Sequence, residues 1–230
     1  MHSAAAGSDP GRRYHANFDV AHLSTEPLLA VVADGMGDGP GSAMAGRTAV
    51  DLVVSHVRAS GIAGIRPALT EAHQQVADFG RRSSTLAGCT LTALVETPDS
   101  LWIAQLGDSR AYRLRSGLLE LLTVDHTMAW LGAVHGWWPH DSPQAHSARY
   151  QLTRYVGHPS HPDPDLLQVQ PRSGDVYLLC TDGVAEQVPY HRILEILSTS
   201  SPEAAVQALL ADSEAAGGND NATAIVVRTS

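Results

Sequence analysis

A succession of short apolar runs between residues 89 and 122 constrains the fold most strongly. Four strand-length runs follow one another there, separated by turns of a few residues rich in Gly, Pro, Asp or Ser. Such short connections join antiparallel neighbours, because parallel strands need a crossover of about a dozen residues or more. The pattern therefore predicts an antiparallel meander. Its strands are expected at residues 89–95, 101–106, 111–114 and 118–122.

Helical patterns lie on both sides of this meander in the sequence. Small and apolar residues at helical spacing predict helices at 42–59, capped by Ser42, and at 67–82. Because helices and strands do not alternate as β-α-β units, we expect an α+β fold with antiparallel sheet covered by helices. Residues 136–164, rich in Pro, His and Trp, are expected to be irregular. Other expected segments are helices at 126–134, 193–197 and 202–216 and strands at 28–33, 176–180 and 222–227.

The overall composition excludes several classes of protein. The 230 residues suffice for one domain or at most two, and a hydrophobic fraction of 43% provides a core. A net charge of −9 argues against broad attraction to nucleic acid or anionic lipid. No apolar run is long enough for a membrane span, and the N-terminus has no secretory pattern. Cys89 and Cys180 fall in strand-like runs, which predicts buried free thiols and a cytoplasmic protein.

Several common motifs are excluded as well. All 15 basic residues are arginine, so the chain has neither the lysine of a Walker A loop nor a side-chain amine for Schiff-base chemistry. The Gly-rich loop after residue 34 fails the GxGxxG pattern of dinucleotide-binding folds. The GDSRA segment at 107–111 ends in Ala where a nucleophile elbow has Gly, and this argues against a serine hydrolase.

Aspartates stand at the ends of several expected strands. Asp34, Asp108 and Asp182 each follow an apolar run, and Asp220 precedes the last one. Each lies beside a Gly or Asn that permits a tight backbone path. If these strand ends converge, four carboxylates share one small volume and need a cationic counter-charge.

Two interpretations of these aspartates stay open on spacing alone. Asp-Gly is among the commonest turn dipeptides, so each carboxylate can be explained as part of a turn. Alternatively, the four form a metal site, whose all-oxygen ligands favour magnesium, manganese or calcium over zinc. Two such ions about 4 Å apart hold a hydroxide at neutral pH and neutralise a phosphoryl group.

Seven short motifs, in order along nearly the whole chain, resemble those of the metal-dependent protein phosphatases (the PPM, or type 2C, family) in their compact bacterial form. Each motif is moderately specific, and together they are very specific. The motifs are VADGMG at 32–37, GCTLT at 88–92, LGDSRAY at 106–112, LTVDHT at 122–127, LTR at 152–154, LCTDG at 179–183 and DNAT at 220–223.

The resemblance implies a fold and a reaction. The fold is a four-layer αββα sandwich, with two central antiparallel sheets flanked by helices. Residues 1–230 would form a single phosphatase catalytic domain, with residues 136–164 as a flap-like variable segment beside the cleft. The reaction is hydrolysis of phosphoserine and phosphothreonine by a hydroxide that bridges two divalent metal ions. The implied cofactors are Mn²⁺ or Mg²⁺, two ions with a third in bacterial members.

The resemblance also implies roles for residues in the matching motifs. Asp34 would bridge both metal ions, and the Gly35 carbonyl would bind one of them. Asp182 and Asp220 would hold the second ion. Asp108, together with Asp182, would match the third-metal site of bacterial members.

The N-terminal motif departs from the family pattern. Where the family usually shows Asn-Glu-Asp or Asn-Gln-Asp, this chain has Asn17-Phe18-Asp19. Asp19 can still orient a metal-bound water, but the Phe18 side chain accepts no hydrogen bond, which predicts a weakened site. The family's phosphate-binding arginine falls at Tyr14. We therefore assign phosphate binding to Arg13, with a solvated arginine as the alternative.

The resemblance further implies a partner and leaves one competing interpretation. The substrate would be a phosphorylated protein, the product of a serine/threonine kinase, and we expect a monomer with neither nucleic-acid nor membrane partners. The competing interpretation is a pseudophosphatase, in which the same fold serves as a binding or regulatory module with turnover weakened or lost. Phe18 and a shortened loop after Gly37 favour it, whereas the complete set of acidic residues favours an active enzyme.

Overall fold

The computed structural model describes residues 2–139 and 141–230. Within these residues, ten strands form two five-stranded antiparallel sheets. The strands are β1 (Ser3–Asp9), β2 (Val20–Thr25), β3 (Leu28–Ala33), β4 (Leu91–Thr97), β5 (Ser100–Leu106), β6 (Arg110–Arg115), β7 (Leu118–Leu121), β8 (Asp165–Val169), β9 (Val176–Cys180) and β10 (Ala222–Arg228). The helices are α1 (Pro40–Ser60), α2 (Ile65–Ser83), α3 (Met128–His135), α4 (Pro143–Ala148), α5 (Asp182–Ala185), α6 (Tyr190–Thr199) and α7 (Pro202–Ala215), with a 3-10 turn at Gly61–Gly64.

Each sheet packs one face on the other sheet and the opposite face on helices. The first sheet has the strand order β1-β10-β9-β6-β7, and the second has β2-β3-β4-β5-β8. In β3, Leu29 and Val31 pack against α1 and α2, while Leu28 and Ala30 pack against residues of β9 and β10 in the first sheet. Because successive side chains point to opposite faces, a strand covered on both sides is apolar throughout.

Helices α6 and α7 cover the outer face of the first sheet. Ile193 and Leu197 of α6 and Leu209 of α7 share a buried cluster with Leu178 and Val226 of that sheet. The layers therefore run α1 and α2, second sheet, first sheet, α6 and α7. The expected α+β fold, an αββα sandwich, is confirmed.

The expected four-stranded meander is wrong. β4 pairs with β5 and β6 pairs with β7, but β5 and β6 belong to different sheets. The chain crosses the sandwich at residues 107–109, where Gly107 has a φ of 103° that only glycine adopts readily. In place of β5, β6 pairs with β9, which comes much later in the chain. Turn residues indicate that the chain changes direction, but they do not indicate which sheet the next strand joins.

The start of α1 also differs from the expectation. The helix begins at Pro40, and Gly39 precedes it without a side-chain cap. Ser42, expected as the cap, is buried inside the helix, where its hydroxyl donates a hydrogen bond to the Met36 carbonyl. This bond fastens the loop after Asp34 to the first turn of α1.

Several elements gave no clear signal in the sequence. β1, β2 and β8 carry many small or polar residues and are only partly buried. α4 lies within the segment 136–164 that was expected to be irregular, and the Ser142 hydroxyl caps it by accepting a hydrogen bond from the Ala145 N–H. His140 of that segment lies outside the described residues. No helix in the described part of the chain is long and apolar enough to cross a membrane.

Candidate active site

The aspartates expected at strand ends meet at one end of the sandwich. Asp34, Asp108, Asp182 and Asp220 all line a cleft of about 240 Å³. The first two lie at the ends of β3 and β5 in the second sheet, and the other two flank β9 and β10 in the first. Asp19, just before β2, adjoins them through a hydrogen bond from the Thr181 hydroxyl to its Oδ2 at 2.8 Å.

A threonine couples the two aspartates of the second sheet. The Asp34 N–H donates to Thr90 Oγ1, and the Thr90 N–H donates to the Asp34 carbonyl, both at 2.9 Å. Thr90 Oγ1 also lies 2.7 Å from the Ser109 hydroxyl, within the crossover that carries Asp108. Thr90 lies in one of the family motifs, but no feature of the sequence singled it out as a site residue. Its position fixes Asp34 relative to Asp108.

Close backbone approach explains two glycines beside the aspartates. A Cβ on Gly35 would lie 2.7 Å from the Ser42 carbonyl oxygen. A Cβ on Gly183 would lie 2.0 Å from the Asn221 carbonyl oxygen. Both contacts are too short for any side chain. The glycines therefore let α1 and the start of β10 come directly against the residues that follow β3 and β9.

Burial and mutual repulsion make the aspartates weak acids. Burial and then the Asp182 charge raise the pKa of Asp34 well above its ordinary value, and burial and the same charge do so for Asp108. Burial and the Asp220 charge raise the pKa of Asp182 to about 7. Burial raises the pKa of Asp19 to about 7, although the Thr181 hydrogen bond opposes the rise. Each of these carboxyl groups therefore keeps its proton to a higher pH than an ordinary aspartate does.

The site offers oxygen ligands that lack partners inside the protein. Asp182 Oδ1 and Asp19 Oδ1 are buried without a hydrogen-bond partner among the described residues. A buried unpartnered carboxylate oxygen is costly, and a divalent cation satisfies both its charge and its lone pair. In the described residues, no three His, Cys, Asp or Glu side chains are grouped closely enough to hold an ion as they stand. The donor chemistry fits a hard cation, whose binding would require the spread carboxylates to draw together.

The N-terminal segment brings one of its two arginines to this cleft. Arg13 lines a small pocket together with Asp182 and Asp220, and its guanidinium lies 5.0 Å from the centre of the Tyr14 ring. Arg12 instead forms an exposed ion pair with Glu214 at 2.9 Å. Of the two arginines, Arg13 is therefore the one that lies beside the aspartates.

Tyr14 and Asn221 are site residues that the sequence did not assign. Tyr14 lines the cleft beside the aspartates. Asn221 also lines it, and its side chain accepts a hydrogen bond from the Phe18 N–H at 2.8 Å while donating to the carbonyls of Pro10 and Ala16. Asn221 thereby holds the segment that carries Arg13. Its position in the DNAT motif was the available signal.

The triplet 17–19 adopts a defined arrangement despite its departure from the family pattern. The Asn17 side chain accepts a hydrogen bond from the Asp19 N–H at 3.1 Å. The Phe18 ring meets the Tyr14 ring edge-on, with 6.3 Å between centroids. Position 18 therefore contributes an aromatic contact under Tyr14 and no oxygen ligand.

Comparison with known proteins gives a consistent result. A sequence model of the family described as protein phosphatase 2C matches residues 14–213. The serine/threonine protein phosphatase PstP of Mycobacterium tuberculosis is 30% identical over 96% of this chain, which spans 44% of that relative's length. The serine/threonine phosphatase stp of Listeria monocytogenes is 29% identical over 96% of this chain and 93% of its own length.

A solved structure agrees with these relatives. The catalytic domain of the serine/threonine protein phosphatase PstP, described in complex with two manganese ions, superposes with a TM-score of 0.84 at 28% identity. The match covers 99% of this chain and 97% of that domain. With the family match over most of the chain, the fold and the clustered aspartates, these findings show that the chain belongs to the protein phosphatase 2C family.

Proposed function

We propose that the chain is a metal-dependent phosphatase that hydrolyses phosphoserine and phosphothreonine in proteins. The observation that carries the proposal is the convergence of Asp34, Asp108, Asp182 and Asp220 on one cleft, beside buried carboxylate oxygens without partners. Membership of the family and the activities named for the Mycobacterium and Listeria relatives support the same reaction. The substrate is a phosphoprotein made by a serine/threonine kinase.

The proposed cofactor is Mn²⁺ or Mg²⁺, with two ions and a third site. Asp34, the Gly35 carbonyl, Asp182 and Asp220 would hold two ions, and Asp108 with Asp182 would hold the third. When bound, two such ions supply counter-charge for the phosphoryl oxygens and a hydroxide nucleophile at neutral pH. The two manganese ions in the PstP structure support this cofactor.

The chain's own residues bind and orient the substrate. The Arg13 guanidinium is positioned to bind two phosphate oxygens, because its planar fork matches their spacing. Asp19 presents its unpartnered Oδ1 to a water, while the Thr181 hydroxyl holds Oδ2 in place. Asn221 fixes the backbone of residues 10–18, so that Arg13 and Asp19 keep their relative positions. Met36 lines the cleft and has no proton to donate, so we assign no protein general acid.

The proposed setting is a cytoplasmic protein that acts as a monomeric catalytic domain. Two buried cysteines without a disulfide, Cys89 and Cys180, support a reducing compartment. Burial raises the pKa of the Cys180 thiol to about 12 and that of Cys89 in the same direction, so neither is a reactive thiolate at neutral pH.

The competing proposal is a pseudophosphatase, and one observation favours it. Phe18 offers an aromatic ring where the family offers an oxygen acceptor. Losing a residue that orients a metal ligand or a metal-bound water costs about 10–100-fold in metal affinity or activity. A weakened enzyme therefore fits the site better than an inactive one, since the aspartates themselves are all present.

The test is hydrolysis of p-nitrophenyl phosphate with and without Mn²⁺. We expect turnover that requires the metal and falls at least about 100-fold in Asp182→Asn, because this change removes a ligand and not merely a supporting residue. Asp99→Asn is the matched control, since Asp99 lies exposed in the turn between β4 and β5. Mn²⁺ binding without turnover, measured by calorimetry, would support the pseudophosphatase, and the absence of both would refute the metal site.

A further inference from the structure

The helix α3 is apolar on every side, yet it buries little of itself. Its sequence is MAWLGAVH, and Gly132 is its one buried residue. Trp130 is 46% exposed and Val134 is 59% exposed. A helix on a protein surface normally turns its apolar residues towards the core and polar residues towards water. Exposed apolar side chains gathered on one helix indicate an interaction surface.

A groove of about 330 Å³ runs beside this helix. Its apolar wall includes Trp130 and Ala133 of α3, Ala145 of α4 and the indole of Trp138. Trp138 also sets how closely α3 packs, because a Cβ on Gly132 would lie 2.5 Å from its ring. The groove is therefore formed by α3, α4 and Trp138, which lies between them in the chain. It has room for one large apolar side chain.

The charged groups of the groove differ in what they still can bind. Arg110 and Asp125 satisfy each other through two hydrogen bonds of 2.9 and 2.6 Å. Arg149 and Glu186 also line the groove, and their charges attract each other. The Arg149 side chain forms no hydrogen bond among the described residues, so it retains donors for a ligand's carbonyl oxygen. Because Arg110 and Asp125 neutralise each other and one wall is apolar, the groove favours an apolar side chain whose backbone carbonyl reaches Arg149.

The groove adjoins the small pocket that lies beside the catalytic cleft. Arg149 lines the groove, and its neighbour Tyr150, 73% exposed, lines the cleft. Glu186 lines both the groove and the small pocket in which Arg13 lies beside Asp182. An extended chain whose phosphate meets Arg13 therefore passes Tyr150 and Glu186 on its way into the groove.

We propose that this groove binds the substrate segment next to the phosphorylated residue and selects a large apolar side chain there. The proposal rests on the proposed phosphatase function, because the phosphate must first occupy the neighbouring cleft. Trp130 is the main contact, since exposed tryptophans beside pockets carry a large share of binding energy at protein interfaces. The groove thus confers sequence preference on a reaction whose chemistry alone would accept any phosphoserine or phosphothreonine.

The test compares phosphothreonine peptides with p-nitrophenyl phosphate in the presence of Mn²⁺. In the peptides, one Phe is moved through the positions on either side of phosphothreonine in a Gly/Ser background. We expect kcat/KM, expressed relative to p-nitrophenyl phosphate, to be about tenfold higher for the best Phe position than for the Gly/Ser peptide. In Trp130→Ala this preference disappears, because truncating such an anchor costs about tenfold or more.

A control variant and two further measurements keep the test independent of folding and of turnover. Val134→Ala is the matched control on α3, since Val134 is exposed but does not line the groove, and it retains the preference. Thermal melting establishes that Trp130→Ala is folded. A fluorescently labelled Phe peptide without metal reports binding directly, and we expect weaker binding by Trp130→Ala.

Three results would overturn the proposal or its basis. Equal relative kcat/KM for Phe and Gly/Ser peptides, with p-nitrophenyl phosphate still hydrolysed, refutes the groove and leaves the phosphatase function intact. A dimer that sediments as a monomer after Trp130→Ala assigns the surface to a second copy of the chain and also refutes it. Absence of Mn²⁺-dependent turnover of every substrate refutes the phosphatase function, and the groove proposal with it.

Discussion

At the scale of single residues, two adjacent arginines have acquired different surroundings. Arg12 is exposed and pairs with Glu214. Arg13 stacks over Tyr14, and its positive charge opposes the rise that burial causes in the pKa of Asp220. Both residues lie in the turn at residues 11–13, from which their side chains reach different partners. Both side chains are exposed, but of the two only Arg13 lies beside the aspartates of the cleft.

This difference yields a paired prediction. Arg13→Ala is expected to raise the KM for p-nitrophenyl phosphate and the inhibition constant of inorganic phosphate by about 10–100-fold, because hydrogen bonds to a charged group contribute about 1.5–3 kcal/mol. Arg12→Ala is expected to change neither by more than about twofold, since exposed ion pairs contribute little. Steady-state kinetics with the two variants checks this. Equal effects of both substitutions would show that Arg13 is a solvated arginine.

The site residues that could be predicted from the sequence are those that a pattern of neighbouring residues identifies. Asp34 and Asp182 stand directly after apolar runs, so the pattern around each position was enough to select it. The contributions of Thr90 and Asn221 depend instead on distant partners, Asp34 and Phe18, which the fold brings into contact. No spacing within a short window reports such contacts.

At the scale of elements, the crossover between the sheets determines where Asp108 lies. β5 ends in the second sheet, and β6 begins in the first, so residues 107–109 bridge the two layers at the cleft. The turn signals correctly indicated antiparallel strands but placed all four in one sheet. The actual partner of β6 is β9, a strand of the same sheet that comes much later in the chain. Which strands become neighbours depends on the tertiary context, and the sequence of a single strand does not encode it.

Gly107 provides a test of the crossover. Its φ is 103°, and an added Cβ would lie 2.6 Å from the Thr90 side chain. We expect Gly107→Ala to lower the free energy of unfolding by about 2–4 kcal/mol, through both backbone strain and this contact. Because Thr90 and Asp108 would shift, Mn²⁺ affinity is expected to fall as well. Urea denaturation and calorimetry measure the two effects.

A glycine of similar backbone conformation serves as the control. Gly117, in the turn between β6 and β7, has a φ of 80° but no atom within 4 Å of an added Cβ. Gly117→Ala is expected to cost about 1 kcal/mol from backbone strain alone, with unchanged Mn²⁺ affinity. If the two variants lost equal stability, the contact with Thr90 would not be what holds the crossover.

At the scale of the whole molecule, packing the two sheets forces like charges together. The second sheet supplies Asp34 and the start of the Asp108 crossover, and the first sheet supplies Asp182 and Asp220. Burial of the apolar inner faces drives the sheets together and brings these carboxylates with them. The cleft therefore exists at an electrostatic cost that either protons or cations relieve.

The sign of the resulting pH dependence follows from the raised pKa values. An aspartate with an ordinary pKa of 3.8 loses its proton in the unfolded chain, while the folded chain keeps it until the pKa of about 7 that Asp19 and Asp182 reach. The folded state then binds more protons, so these groups make the metal-free protein less stable as pH rises from about 4 to about 7. Cations compete with the same protons, so metal affinity rises over this range.

We therefore expect Mn²⁺ to raise the melting temperature more at pH 7.5 than at pH 5.5. Each displaced proton makes binding tenfold tighter per pH unit below the pKa. This corresponds to about 1.4 kcal/mol, or about 3–6 °C in the melting temperature of a chain of this size. Thermal melts with and without Mn²⁺ at both pH values measure the difference. Asp182→Asn should reduce it, because one titrating ligand is removed, whereas Asp99→Asn should not. A Mn²⁺ shift that is equal at the two pH values would mean that these carboxylates are not its ligands.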